Sequence, residues 1–291
     1  MHSYRSPILL GVAAAALVLF GIQQEPTAVA APPAAAQDGY RILIVNDDGI
    51  DTPGIAALVK AFAPMGDVIV AAPDGNRSGA SQSSHVFSEI MVATPRTMEG
   101  ASEAWALSGT PADCTAYGVI AFGGEEGFDL VVSGINRGSN VGDVAHYSGT
   151  VGAAIEGGMR GIPSIAISED SRIKDHSVSA EFTARFAAKL LAEGGTPGVI
   201  YSINVPSAEP KGVKVAPMGG LYIGITHFDR KDQEDGSHKA KARIQWNHEP
   251  PAGTDSAAYQ EGFISIAPLR IDWTDHASIA KVEGWGVSLE D

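Results

Sequence analysis

One stretch near the N-terminus constrains the fold more than any other part of the chain. An apolar run from Ile42 to Val45 stops at the polar turn Asn46 to Gly49, and Pro53 then opens a helix-like segment that reaches Phe62. A short buried strand, a polar turn and a helix form the first half of a β-α-β unit. Because ligands of open α/β sheets bind beyond the carboxyl ends of the strands, this turn is predicted to face a binding site.

The turn carries two adjacent carboxylates, Asp47 and Asp48. Hard anions at the end of a strand are well placed to hold a hard divalent cation. Aspartates also terminate strands and cap helices without binding anything, so these two residues alone leave both interpretations open.

Buried strands and helices alternate as far as residue 205, with further strands predicted at 67–72, 128–132, 163–168 and 199–205. This alternation predicts an α/β fold, a Rossmann-like three-layer αβα sandwich around a mostly parallel sheet. Residues 85–92 and 103–107 are predicted to form a hairpin that leaves the sheet. The later pattern is antiparallel, so about 208–250 and 262–291 are predicted to be a β-hairpin and a C-terminal extension.

The first 36 residues have the features of a signal peptide and leader. Arg5 gives a basic start, Ile8 to Ile22 is a continuous apolar run, and small residues precede cleavage sites at Ala30 or Ala36. The apolar run is short for a membrane-spanning helix, and an uncleaved anchor is the alternative. We predict export to the periplasm or the cell exterior, no membrane attachment after processing, and a single folded domain over residues 37–291.

Charge and cysteine content exclude several classes of function. The formal net charge is −14, which argues against a protein that grips the nucleic-acid backbone or an anionic membrane. Any phosphate site in so acidic a chain needs local neutralisation by a metal or by backbone amides. The single cysteine, Cys114, excludes an intrachain disulfide and a multi-cysteine metal site.

Three polar loops are predicted to meet at the carboxyl edge of the sheet: 46–49, 76–79 and 133–136. They offer carboxylate, hydroxyl and amide oxygens, a mixed set that suits Mg²⁺ or Mn²⁺. A fourth segment, Ser148-Gly149-Thr150, opens a helix and suits a phosphate group, although an ordinary N-cap is the alternative. The chain lacks the GxGxxG and GxSxG patterns, which argues against a dinucleotide-binding protein and an α/β-hydrolase.

Over residues 40–272 the motifs resemble the SurE family of survival-protein nucleotidases. The resemblance is carried by ILIVNDDGIDTPG at 42–54, APDGNRSGAS at 72–81, SGTPADC at 108–114, VSGINRGSNVG at 132–142 and YSGTVGAAIEG at 147–157. Gly253-Thr-Asp255, Glu261 to Ser265 and Pro268-Leu269 resemble the family's C-terminal part. The leader falls outside the resemblance.

The resemblance implies a metal-dependent phosphatase for nucleoside 5′- and 3′-monophosphates, in some members also for short polyphosphate. It implies one divalent cation per subunit and a homodimer or homotetramer that exchanges C-terminal segments. Carried onto this sequence, the implied metal ligands are Asp47, Asp48, Ser78 and Asn136, and the implied phosphate-facing helix start is Ser148-Gly149-Thr150. Family members are typically cytoplasmic, so the predicted leader is a departure.

Our mechanistic hypothesis is metal-assisted hydrolysis by water, with Asp47 positioning or deprotonating the attacking water. The predicted phosphate contacts are Asn46, Asn140, Ser148 and the amides of Gly149 and Thr150. Candidates to protonate the leaving alcohol are His85, His146 and Arg137. The alternatives are a covalent aspartyl-phosphate route and an exported protein that binds a phosphorylated ligand without turnover.

Overall fold

The computed structural model describes residues 39–289, so the predicted leader at 1–36 lies outside the described residues. Nine strands form one sheet in the order β3-β4-β2-β1-β5-β6-β7-β11-β8 and two form a separate hairpin. The strands are β1 Tyr40–Val45, β2 Gly66–Pro73, β3 Ala93–Arg96, β4 Glu103–Leu107, β5 Leu130–Arg137, β6 Ser164–Glu169, β7 Val199–Val205, β8 Val213–Val215, β9 Ile223–Asp232, β10 His238–Trp246 and β11 Ile264–Arg270. The six strands from β4 to β7 in that order are parallel.

Helices cover both faces of this sheet, which confirms the predicted three-layer arrangement. The helices are α1 Pro53–Phe62, α2 Pro111–Phe122, α3 Gly149–Met159, α4 Ser177–Glu193, α5 Asp255–Gln260 and α6 His276–Glu283. Alternate side chains of β1 point to opposite faces: Ile42 and Ile44 lie in one apolar cluster with α1 and α4, and Leu43 and Val45 lie in another with α2 and α3. Burial on both faces explains why β1 reads as a continuous apolar run.

The predicted hairpin at 85–92 and 103–107 is wrong in two respects. Its first strand does not lie at 85–92, and the hairpin belongs to the main sheet instead of leaving it. The first strand is Ala93–Arg96, which pairs antiparallel with β4 at the edge of the main sheet. Residues 85–89 instead form a turn in which the amides of Ser88 and Glu89 donate to the carbonyl of His85. Asp113 of α2 holds the start of this turn, accepting from the Ser84 hydroxyl at 2.6 Å and the His85 amide at 2.9 Å.

The C-terminal region divides between the core and the surface. Strand β11 pairs antiparallel with β7 inside the main sheet, with Ile264 and Ile266 buried. By contrast, the β9–β10 hairpin and α6 expose apolar side chains, and α6 buries none of its residues. The exposed set comprises Ile225, Phe228, Ile244 and Trp246 of the hairpin and Ile279 and Val282 of α6, and Trp273 and Trp285 on either side of α6 are exposed as well. Among residues 39–289, no helix combines the length and apolar character needed to cross a bilayer.

Candidate active site

Three loops meet at the carboxyl ends of β1, β2 and β5, as the sequence predicts. The amide of Arg77 donates to the carbonyl oxygen of Asp47 at 2.7 Å, which ties the loop after β2 to the end of β1. The Asp48 carboxylate accepts from the Asn76 side chain at 3.2 Å and from the Arg137 amide at 2.9 Å. Asp48 therefore bridges the second and third loops, with one oxygen bonded to each.

Asp47 is the most deeply enclosed acid of the site, with 2% of its surface exposed. Its Oδ1 accepts a 2.6 Å hydrogen bond from the Thr150 hydroxyl at the start of α3. The pKa of Asp47 is raised to about 6 by burial, with a smaller increase from the charge of Asp48, while the hydrogen bonds from Thr150 lower the pKa and offset part of this rise. A nearby cation would favour the ionised form, because it would offset the cost of a buried negative charge.

The first turn of α3 lies directly against Asp47. Ser148 is the N-cap, and its hydroxyl accepts from the Val151 amide at 3.1 Å. A methyl group at position 149 would lie 2.9 Å from Cβ and 3.0 Å from Oδ2 of Asp47. Glycine is thus what allows this turn, with the positive end of its helix dipole, to approach the carboxylate.

The predicted metal ligands differ in burial but agree in chemistry. Asp47 and Asn136 are buried, Asp48 is half-buried and Ser78 is exposed. The Asn136 amide nitrogen donates to the Gly138 carbonyl at 2.7 Å, which orients the carboxamide and leaves its oxygen as the ligand atom. Two carboxylates, a hydroxyl and an amide oxygen fit a hard divalent cation. Among residues 39–289, no cluster of three or more His, Cys, Asp or Glu side chains has metal-binding geometry.

Asn46 and Asn140, two of the predicted phosphate contacts, have side chains that support loops. The Asn46 amide donates to the Gly49 carbonyl at 2.8 Å and to the Thr52 hydroxyl at 3.1 Å, which closes the turn after β1. The Asn140 side chain donates to the Ser168 hydroxyl at 2.8 Å. Asn46 therefore closes its own turn and Asn140 links its loop to Ser168 of β6, and the contact of both residues with phosphate stays a prediction.

The three candidates to protonate the leaving alcohol differ in their contacts. Arg137 is in direct contact with Asp48 through its amide, while its Nε donates to the Ser171 carbonyl at 3.3 Å. His85 is exposed, with Nδ1 3.9 Å from a carboxylate oxygen of Glu89. The ring of His146, also exposed, lies edge-on to Trp273 with 6.4 Å between centroids.

Sequence reasoning missed one residue that organises the site, Asn76. Its amide nitrogen donates to Asp48, and its Oδ1 accepts from the backbone amide of Ser78 at 3.0 Å. A single side chain thus joins two predicted metal ligands from different loops. The available signal was its place two residues before Ser78, a spacing at which asparagine commonly closes a local turn.

Comparison with known proteins gives a consistent result. The family model of survival protein SurE matches residues 42–224. A 5′-nucleotidase SurE from Rubrobacter xylanophilus is 37% identical over 269 residues, covering 85% of this chain and 97% of the relative. A 5′/3′-nucleotidase SurE from Escherichia coli O1:K1 / APEC is 38% identical over 254 residues, covering 84% and 96%.

A solved structure of the SurE protein from Aquifex aeolicus superposes with a TM-score of 0.74 at 33% identity, covering 85% of this chain and all of that one. The family match at 42–224 includes the loops that carry Asp47, Asp48, Ser78 and Asn136. On these findings the chain belongs to the SurE family.

Proposed function

We propose that this protein is a 5′-nucleotidase, a phosphomonoesterase that hydrolyses nucleoside 5′- and 3′-monophosphates with the help of a divalent cation. One observation carries the proposal: the buried carboxylate of Asp47 lies between Asp48 and the first turn of α3. A pair of carboxylates beside the N-terminus of a helix supports a site for a divalent cation and a phosphate group. The relatives that match most of the chain have the names 5′-nucleotidase and 5′/3′-nucleotidase.

The residues that would hold one Mg²⁺ or Mn²⁺ per subunit are Asp47, Asp48, Ser78 and Asn136. When bound, such an ion neutralises phosphate charge and lowers the pKa of a water molecule. The chain's own contribution is to converge three loops on that point through Asn76, Arg77 and Arg137. Substrates for the same site include nucleotides and, as a further proposal, short polyphosphate.

Asp47 would orient the attacking water and accept its proton as the new P–O bond forms. The amides of Gly149 and Thr150 would bind the equatorial phosphate oxygens, whose negative charge is favoured at a helix N-terminus. The ester P–O bond then breaks, and the leaving alkoxide takes a proton to become the nucleoside hydroxyl. The rival route, attack by Asp47 on phosphorus, would transfer the phosphoryl group of the substrate to the carboxylate as an aspartyl-phosphate, which water then hydrolyses; acid quenching during turnover of a nucleotide with radiolabelled phosphate, followed by a test for label on the protein, distinguishes the two.

The test is phosphate release from a panel of nucleoside monophosphates and short polyphosphates, with EDTA and with added Mg²⁺ or Mn²⁺. Asp47→Asn should lower turnover by about 100-fold or more, because it removes the acid that positions and deprotonates water. Asp51→Asn is the matched control, since Asp51 is an exposed aspartate of the same turn. Tight binding of nucleotides without phosphate release by the wild-type protein would instead support the alternative, an exported binding protein.

We further propose export with cleavage near Ala30 or Ala36, from the basic start and apolar run of the leader. Mass spectrometry of the mature N-terminus tests this, and a cellular product beginning at Met1 would contradict it.

A homodimer or homotetramer is also proposed, supported by the apolar side chains exposed on the β9–β10 hairpin and α6. Light scattering measures the assembly size, and a monomer at micromolar concentration would contradict it.

A further inference from the structure

The loop from Gly138 to Gly142 joins the two halves of the candidate site. It begins two residues after Asn136, the proposed metal ligand at the end of β5, and leads through residues 143–147 into Ser148, the N-cap of α3. Its last three residues are buried, whereas connecting segments normally lie on the surface. Because a buried amide needs a partner, the groups that bond this loop also fix its path.

Every second amide of this loop is held by a different element of the fold. The Gly138 amide donates to the carbonyl of the last residue of β6 at 2.8 Å. The Asn140 amide donates to Oδ1 of Asn204 in β7 at 2.7 Å, and the Gly142 amide donates to Oδ2 of Asp255 in α5 at 3.0 Å. Two of the three acceptors are side chains, from residues 64 and 113 positions away along the chain. Distant elements of the fold therefore set the path of the loop.

Asn204 has one hydrogen bond to explain its place in the core. Its side chain is fully buried, and among residues 39–289 its Nδ2 has no hydrogen-bond partner. A buried, unpaired N–H group costs free energy, so an apolar side chain of similar shape would serve the core at least as well. The bond that Oδ1 accepts from Asn140 joins the residue to the loop. Asn204 is therefore better explained by the loop that it holds than by the core around it.

Asp255 holds the other end of the loop. Its carboxylate is 2% exposed and accepts from the amides of Gly142 and Gly219 at 3.0 Å and of Ser256 at 2.7 Å. The packing at Gly142 is close, because a methyl group there would lie 2.3 Å from the carbonyl oxygen of Gly220 and 2.6 Å from Oγ of Ser256. One carboxylate thus fastens the end of the loop to the C-terminal part of the chain.

The position of this loop in turn orients Asn136, whose Nδ2 donates to the carbonyl of Gly138 at 2.7 Å. We infer that Asn204 and Asp255 are positioning residues of the candidate active site. By fixing loop 138–142, they direct the metal-facing oxygen of Asn136 and the start of α3. The inference rests on the proposed function, since that function puts a divalent cation at Asn136. Groups that orient a metal ligand without touching the ion typically change metal affinity or activity by about 10–100-fold when they are mutated.

The experiment compares Asn204→Leu with Ser265→Ala in their affinity for Mn²⁺, measured without substrate by the electron paramagnetic resonance of free Mn²⁺. Ser265 is the matched control. It lies opposite Asn204 in the pairing of β11 with β7, is equally buried, and its hydroxyl also lacks a partner among residues 39–289. It differs from Asn204 in that it does not bond the loop.

We expect Asn204→Leu to raise the Kd for Mn²⁺ about tenfold and to speed hydrogen exchange of the amides at 138–142. Ser265→Ala should do neither. The urea midpoint of Asn204→Leu should change little, because the substitution removes one unpaired N–H group while it leaves the Asn140 amide without its partner. A loss of metal affinity without a matching loss of stability is the result that a purely structural asparagine would not give.

Asp255→Ala tests the second anchor and should also raise the Kd for Mn²⁺ about tenfold. Because both residues act through one loop, the double variant Asn204→Leu/Asp255→Ala should raise the Kd by less than the product of the two single effects. Circular dichroism checks that Asp255→Ala is folded. If it is not folded, the comparison of Asn204→Leu with Ser265→Ala decides the inference alone.

Three results would overturn the inference. The first is an Asn204→Leu protein that binds Mn²⁺ with the affinity of the wild type, and the second is an equal loss of affinity in Ser265→Ala. The third is a wild-type protein that binds no Mn²⁺ although it releases phosphate from nucleotides. If the wild-type protein binds Mn²⁺ but releases phosphate from no nucleotide, the proposed function fails instead, and the Mn²⁺ affinities of the variants still decide whether Asn204 and Asp255 position the site.

Discussion

Gly149 lies so close to Asp47 that a single added methyl group would touch both Cβ and Oδ2 of the carboxylate, at 2.9 and 3.0 Å. The same methyl group would lie 3.1 Å from Cγ of Pro111, so the ring leaves no room on the other side. Asp47 is itself held by Thr150 and cannot move without losing that bond. The position of the Asp47 carboxylate therefore depends on the absence of a side chain at residue 149.

We predict that Gly149→Ala lowers turnover by about 100-fold, the cost typical of a 1 Å displacement at a reacting centre. The free energy of unfolding should fall by about 1–3 kcal/mol, the cost typical of overpacking a buried site, which leaves the protein folded under assay conditions. Phosphate release and urea unfolding measure the two effects. Gly75→Ala is the control, since a methyl group there would meet no atom within 4 Å in a loop of the same site. Full activity of Gly149→Ala would show that Asp47 tolerates displacement.

The acid limb of the activity profile should report on Asp47. Because burial raises its pKa to about 6, the carboxylate becomes protonated as the pH falls through about 6 and activity should fall with it. Thr150→Val removes a hydrogen bond that lowers this pKa, so the limb should move to higher pH. Saturating metal should move it to lower pH. Profiles of kcat/KM for the wild type and Thr150→Val, at low and high metal, test the prediction; superimposed profiles would contradict it.

A contact of this site can be predicted from the sequence only when its two residues lie close together along the chain. The turn with Asp47 and Asp48 is local and follows a strand that the apolar run identifies, so both its structure and its place at the sheet edge were predictable. The hydrogen bond from Thr150 to Asp47 joins residues 103 positions apart, and no local pattern encodes it. The turn at 85–89 was mistaken for a strand for the same reason, because the side chain that holds it, Asp113, belongs to a distant helix.

Asp113 should accordingly stabilise both a helix and a loop. Burial raises the pKa of Asp113, but hydrogen bonds from Ser84, His85 and Thr110 outweigh it, so the pKa lies below its ordinary value of 3.8. A lowered pKa stabilises the folded state above the unfolded value and loses this effect as the pH falls through the folded one. Asp113→Asn should cost about 1 kcal/mol at pH 7, and the cost should shrink below about pH 4.

Urea unfolding at several pH values measures this effect. Glu125→Gln, an exposed acid just beyond the end of α2, is the control and should behave as the wild type. A cost for Asp113→Asn that stays constant as the pH falls would mean that the residue acts through packing rather than through its charge.

The last prediction concerns Ser78, the weakest donor of the predicted metal set. Its side chain is exposed, and its backbone amide donates to Asn76, whose amide group in turn bonds Asp48. The loop is therefore fixed without the hydroxyl, and Ser78→Ala should leave its path unchanged. A neutral hydroxyl binds Mg²⁺ more weakly than a carboxylate and water can replace it.

Ser78→Ala should consequently raise the metal concentration for half-maximal activity several-fold while lowering turnover at saturating metal less than Asp47→Asn does. Metal titrations of activity measure both quantities, with Ser83→Ala, an exposed serine of the same loop, as the control. If Ser78→Ala and Ser83→Ala both titrate like the wild type, the hydroxyl is not a ligand and the protein contributes only Asp47, Asp48 and Asn136. If Asn76→Ala shifts the titration while Ser78→Ala does not, the second loop acts on the metal by holding Asp48.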